Sequence, residues 1–222
     1  VIGLFAAGGL QAEARACDSV VSHVSAVTLK TTFGDVKIKA LGTVNVYALS
    51  ASPGGATAAN LASSSSRAFA GYREGETDYQ DVKDTTSTVH YQIVRAYIDT
   101  NAVVRSAQDA IVDALNVGTS KADVKGGQTY SFVGVVTAKL VTRGYYLTEA
   151  WVGDGAVVTA GRDILVHGKT TCTADSDASS TTLAMLVDAD TTYATVDVTV
   201  GTGASVGRNA TLDAAHGISV LA

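Results

Sequence analysis

One order of residues returns along this chain, and any fold must place its copies in equivalent surroundings. Arg95-Ala96-Tyr97-Ile98-Asp99-Thr100-Asn101-Ala102-Val103-Val104 leads into Arg105-Ser106-Ala107-Gln108-Asp109-Ala110-Ile111-Val112. Fifty-four positions later Glu149-Ala150-Trp151-Val152-Gly153-Asp154-Gly155-Ala156-Val157-Val158 leads into Thr159-Ala160-Gly161-Arg162-Asp163-Ile164-Leu165-Val166. Both read as alanine, aromatic, aliphatic, turn, Ala-Val-Val, then a second turn ending at aspartate. A fainter copy opens at Val27 and runs to Ile38, and another is read from Val198 to Leu212, 48 positions after the central one. A repeat of this kind is the mark of a stacked architecture, in which each unit buries its apolar face against the next.

The pattern within a unit is β. Val36-Lys37-Ile38-Lys39-Ala40, Val44 to Ala48, Val135 to Val141 and Val196 to Val200 alternate apolar and polar side chains, as half-buried strands do. Ala, Val, Thr and Gly make up about half of the 222 residues, and charged residues are 17%. This composition disfavours long helices and disorder. One proline among 22 glycines excludes a collagen period, and two cysteines exclude a disulfide scaffold. No apolar run is long enough for a membrane-spanning helix, so membrane insertion is not expected. Val1 to Ala7 is apolar but short and without a basic leader, so it reads poorly as a signal peptide. A net charge of −5 without Lys/Arg clusters argues against nucleic acid as a partner.

The units are too closely spaced for helical crossovers, so the expected fold is all-β: a parallel β-helix, or β-solenoid. Coils of about 20–25 residues would number roughly nine to eleven and stack to about 45–50 Å. Ala and Val suit a narrow core. Thr and Ser are expected in ladders on the outer faces, and the tyrosines with Trp151 in stacks at equivalent positions. Pro53, beside Gly54-Gly55, reads as a turn. The Asp99-Thr100-Asn101 turn departs from the Gly-Asp-Gly at 153–155, which leaves its conformation open.

Thr148 to Val166 resembles a repeat of large secreted bacterial exoproteins, the filamentous-haemagglutinin-like and leukotoxin-like filamentous adhesins, whose unit looks like T-x-A-Y-I-G-x-G-A-x-V-x-A-G-x-x-V-x-V. Phe132 to Ala138 is similar to the family's inter-repeat strand. The likeness covers residues 130–170 well, 94–115 fairly and the ends weakly. It implies a right-handed β-helix, exported to the cell surface, acting as an extracellular filament or adhesin. Neither end of the sequence reads as a cap. The expectation is therefore a single solenoid segment of a longer chain, with copies stacking head to tail as the second reading.

Residues 60–88 break the pattern. After Ser63-Ser64-Ser65-Ser66 comes the most polar stretch of the chain, Gly71 to Asp84, read as an insertion loop. Its Tyr72, Arg73, Glu74, Glu76, Asp78 and Tyr79 are the candidate partner-contact residues. Asp175/Asp177 and Asp188/Asp190 are paired carboxylates of a type that suits Ca²⁺, but without the tandem motif of calcium β-rolls they read as turn acids. Cys17 and Cys172 are several coils apart, on the order of 30 Å. They are therefore expected to be reduced and buried, because a bridge needs Cα atoms within about 7 Å.

The four histidines show no ligand spacing, and no nucleophile elbow occurs. Asn209-Ala210-Thr211 is an acceptor sequon. Neither a catalytic residue, a cofactor nor a metal is expected. The sequence points to a structural or adhesive rod whose partners are its own coils or copies and a surface ligand. A self-assembling filament subunit and a β-helix polysaccharide-degrading enzyme are the alternatives; the enzyme would need paired carboxylates in a groove. Asp109 and Asp163, at equivalent repeat positions, read as structural.

Overall fold

The computed structural model describes residues 2–25, 27–52, 55–73 and 88–222. These residues form strands and turns and no helix. The strands are β1 (Ile2–Ala16), β2 (Ser19–Val24), β3 (Thr28–Lys30), β4 (Val36–Ser52), β5 (Gly55–Ala70), β6 (Tyr72–Arg73) and β7 (Val89–His90), then β8 (Gln92–Ile98), β9 (Val103–Ser106), β10 (Ala110–Val152), β11 (Val157–Ala160), β12 (Asp163–Val206), β13 (Thr211–Ala214) and β14 (Gly217–Leu221). Pairing is parallel throughout an eight-stranded and a four-stranded sheet, and antiparallel only between β6 and β7.

The register shows why the sequence repeats. Ala110 lies beside Ile164, Ala150 beside Ala204 and Asp163 beside Gly217, each pair 54 residues apart. The long strand β10 pairs on its other side with β4, then β5, then β8 in succession. The chain thus lays down the same path at four levels: β1–β3, β4–β9, β10–β11 and β12–β13, with β14 opening a fifth. Two expectations are corrected. The fourth copy stands 54 positions after the central one, not 48, because Val206 pairs with Val152. The path is 54 residues per level, and 74 at the second, which carries an insertion, rather than 20–25, so four levels span on the order of 15 Å where nine to eleven coils were expected.

Alternation builds the core. From Val36 to Ser50 every even-numbered residue is buried, as period-2 geometry demands of a strand with one inner face. Two apolar clusters result. One gathers Val36 and Ile38 with Val94, Ala96, Ile98, Val104, Val112, Val152, Val158, Ile164 and Val166. The other sets Val44, Val46 and Ala48 of β4 against Ala68 and Ala70 of β5, with Ala122, Val124, Ala138, Leu140 and Tyr146 of β10. Between them lies a polar neck. There Asn116 Nδ2 donates to the Gln92 carbonyl at 3.2 Å, and Gln92 Oε1 accepts from the Asp18 N–H at 2.8 Å. Thr170 donates to Thr148 at 2.7 Å and shares a 2.9 Å bond with Thr202. Thr148 is fully buried, so this threonine cluster lies inside the protein, not on the outer face where it was expected. Buried hydroxyls that satisfy one another avoid the penalty of an unpaired polar group.

The turn after β8 also becomes clear. Asn101 (φ 58°), Gly155 (φ 65°) and Asn209 (φ 57°) all take the left-handed conformation. Asparagine tolerates that region better than other L residues, so Asp99-Thr100-Asn101 makes the same bend as Gly153-Asp154-Gly155.

Candidate functional site

The step from β1 to β2 takes two residues, 17–18, and its equivalent one level above β8 takes 145–146. At the level between them the same step takes residues 71–92, an excess of 20. This insertion emerges where the β5 path joins the β8 path. Ser63 to Ser66 are not part of it: they belong to β5, where Ser66 is buried and donates to the Ala48 carbonyl at 2.7 Å. Residues 74–87 of the expected loop, including Glu74, Glu76, Asp78 and Tyr79, lie outside the described residues.

The base of the insertion is a short antiparallel ribbon of β6 and β7, locked by aromatic contacts. Tyr72 stacks on His90 with ring centroids 4.4 Å apart. The Arg15 guanidinium lies 5.0 Å from the Phe69 ring centroid and 5.8 Å from that of Tyr72. Arg73 sits 6.0 Å over Tyr145, which Tyr91 meets edge-on at 6.3 Å. Gly71 makes the corner at φ 72°; a Cβ there would stand 2.6 Å from the His90 carbonyl and 2.8 Å from that of Tyr145. Tyr72 and Arg73 are thus half-buried parts of the anchor.

A second feature lies on the outward side of the β2–β8 path. Parallel register puts His23, Tyr97, Trp151 and Ser205 in one column, and Val21, Arg95, Glu149 and Gly203 in the next. His23 and Tyr97 stack at 5.0 Å, and Tyr97 and Trp151 at 4.1 Å and 6° between planes. Beside them Arg95 Nε donates to Glu149 Oε2 at 2.7 Å. At the fourth level the columns continue with a serine and a glycine. A recess of about 470 Å³ opens there, lined by Arg95, Glu149, Trp151, Gly203 and Ser205. The aromatic stack agrees with the expectation from the sequence. The 54-residue offset of the two best copies already sets Arg95 level with Glu149; the recess was missed because the 48-residue offset given to the fourth copy does not bring Gly203 and Ser205 into these columns.

No family model, no curated protein and no solved structure matches the chain. The site must therefore be read from its own chemistry.

The other candidate groups are engaged in holding the levels together. Asp109 N–H donates to Asp35 Oδ1 at 3.1 Å, and Asp163 N–H to Asp109 Oδ1 at 3.2 Å, so each carboxylate caps the backbone of the next level. His167 Nδ1 lies 3.0 Å from Asp113 Oδ1, with Lys39 Nζ 3.3 Å from the other oxygen. Asp175 and Asp177 lie within β12, not at a turn, and Asp175 is 3.7 Å from Lys121 Nζ. Among the described residues no cluster of three or more His, Cys, Asp or Glu side chains is placed to hold a metal.

Cys17 and Cys172 are free. Cys17 is exposed rather than buried and directs its thiol to the Tyr91 carbonyl at 3.3 Å. Partial desolvation of the sulfur raises both thiols above their usual range, and the Asp18 charge raises Cys17 further.

The aspartate column gives a pH signature. The Lys37 hydrogen bond, at 2.7 Å, and then the Asp109 N–H hold the Asp35 carboxyl below the usual carboxylate range. A depressed carboxylate stabilises the fold above its unfolded pKa of about 3.9, and that contribution is lost as pH falls through the lower folded value. Asp35→Asn is therefore expected to lower the urea midpoint by a constant amount from neutral pH down to the ordinary carboxylate range. The difference from wild type should shrink at more acid pH. A difference that persists undiminished into strong acid would contradict this origin.

Proposed function

We propose that this chain is a stretch of right-handed parallel β-solenoid serving as a structural, adhesive rod of a secreted or cell-surface fibre, without enzymatic activity. The observation that carries the reading is the 54-residue register kept across successive levels. A path that repeats in register grows by adding levels and needs no other plan. The column contacts support it: aromatic on aromatic, aspartate on backbone N–H, arginine on glutamate. The likeness of Thr148 to Val166 to filamentous adhesins supplies the right hand and the surface role. On this reading the insertion at 71–92, anchored on a rigid base and carrying the polar run Glu74 to Asp84, meets the partner.

Two experiments test it. Immunogold labelling of the source cells with antibodies to this chain is expected to mark fibres at the cell surface, and label confined to the cell interior would overturn the reading. Removing residues 72–91 leaves Gly71-Gln92 as the two-residue step used at the other levels. This variant is expected to fold with a melting temperature within a few degrees of wild type, since loop length weighs on stability only logarithmically. It should also lose most of its adhesion to cells. Full adhesion by the shortened chain would remove the loop from the contact.

A further inference from the structure

The recess beside Trp151 has a form that the rod reading does not require. Its columns hold rings and long charged side chains at levels two and three, then only Ser205 and Gly203 at level four. The gap belongs to the fourth level itself, whatever precedes or follows it in the chain. Levels are about 4.8 Å apart, and Tyr97 already stacks on one face of the indole at 4.1 Å. The opposite face of Trp151 therefore looks out across Ser205, whose side chain is too short to cover the indole. We propose that this space is a binding site for a neutral sugar ring, which takes the place of the missing fourth ring of the column.

The lining chooses among ligand classes. A bare indole face attracts the C–H face of a pyranose, a cation or another flat ring. The charges beside it are a matched pair, Arg95 with Glu149. A cation would be drawn to Glu149 and repelled by Arg95, and an anion the reverse, so the pair favours neither. Hydroxyl groups use both: they donate to Glu149 and accept from Arg95, while the Ser205 hydroxyl does either. A nucleic-acid base would bring phosphates, for which a chain of net charge −5 offers no basic groove. The volume of about 470 Å³ falls within the range of small-ligand sites, about 300–1,000 Å³. It suits a terminal or branch sugar rather than a long chain lying flat. This site goes beyond the structural role and does not depend on it.

Trp151 is the only tryptophan in the chain, so emission excited to the red of tyrosine absorption reports this site alone. The 222-residue chain would be titrated with cellotetraose, maltotetraose, chitotetraose and mannotetraose up to about 10 mM, weaker than most specific sites. At least one is expected to give a saturable change in emission and a matching calorimetric isotherm. Ser205→Tyr completes the ring column and fills the space. It should fold as wild type yet bind the same sugar about tenfold more weakly or not at all by calorimetry. Trp151→Ala should also abolish binding. The proposal is overturned if none of the four sugars produces a signal, if Ser205→Tyr binds undiminished, or if tetramethylammonium alone produces the response.

Discussion

Gly118→Val is expected to lower stability by about 3 kcal/mol or to prevent folding, because overpacking a closed core commonly costs 1–3 kcal/mol and more where nothing can yield. Tyr146 is 1% exposed and is the largest fully buried side chain among the described residues. A Cβ on Gly118 would stand 2.2 Å from its Cε1 and 2.4 Å from its Cζ. The ring has little room to swing aside, because its opposite edge lies against Gly144, so close that a Cβ there would stand 2.5 Å from Cε2. The neighbours of Gly118 one level down and one level up are Val44 and Cys172. The position thus accepts a larger residue wherever the level holds no tyrosine. This identifies the partner and suggests a rescue. Tyr146→Ala alone should cost about 3–5 kcal/mol, as truncation of a buried aromatic does, and the double variant with Gly118→Val should be more stable than the two losses added together. Urea unfolding of all four proteins measures the coupling. Strict additivity would show that the two sites do not share one space.

Gly161→Ala is expected to cost about 2–3 kcal/mol for a different reason. The added Cβ would meet backbone, at 2.2 Å from the Ala107 carbonyl oxygen and 3.0 Å from its carbon. A side chain can rotate away, but a bend pinned between levels by backbone hydrogen bonds cannot. Gly161 also donates its N–H to the Ser106 carbonyl at 3.1 Å, and Arg162 donates to Gln108 at the same distance, so two levels are pinned at this corner. Gly203→Ala serves as the control, since a Cβ there meets nothing within 4 Å. It should change stability by no more than about 0.5 kcal/mol. Equal losses for the two alanines, read from urea midpoints, would mean that close approach is not what the first glycine serves.

These glycines show where reading the sequence succeeds and where it stops. Gly42, Gly118 and Gly168 look like turn signals, yet all three lie inside strands. They mark places where something opposite needs room: Val94 for Gly42, Tyr146 for Gly118 and the Gly203 carbonyl for Gly168. Gly201 and Gly203, in the copy read at an offset of 48, resemble the Gly-x-Gly bend but sit in β12, while the bend itself is Gly207-Arg208-Asn209, over Gly153-Asp154-Gly155. Ser63 to Ser66 read as loop because serine is polar, but in a narrow leg a small hydroxyl that can reach a carbonyl serves as core.

By itself the sequence determined the β character, the parallel repeat and the equivalence of residues 95–112 with 149–166. Alternation and turn chemistry are local, and a chain carries local physics in plain order. Tertiary structure decided the length of the path at each level, the pairing of glycine with tyrosine across it, and the placing of Trp151 and the Arg95–Glu149 pair below a gap left by Ser205 and Gly203. Those depend on which residues face one another across levels, a matter of register between segments more than fifty positions apart that no single stretch of sequence contains.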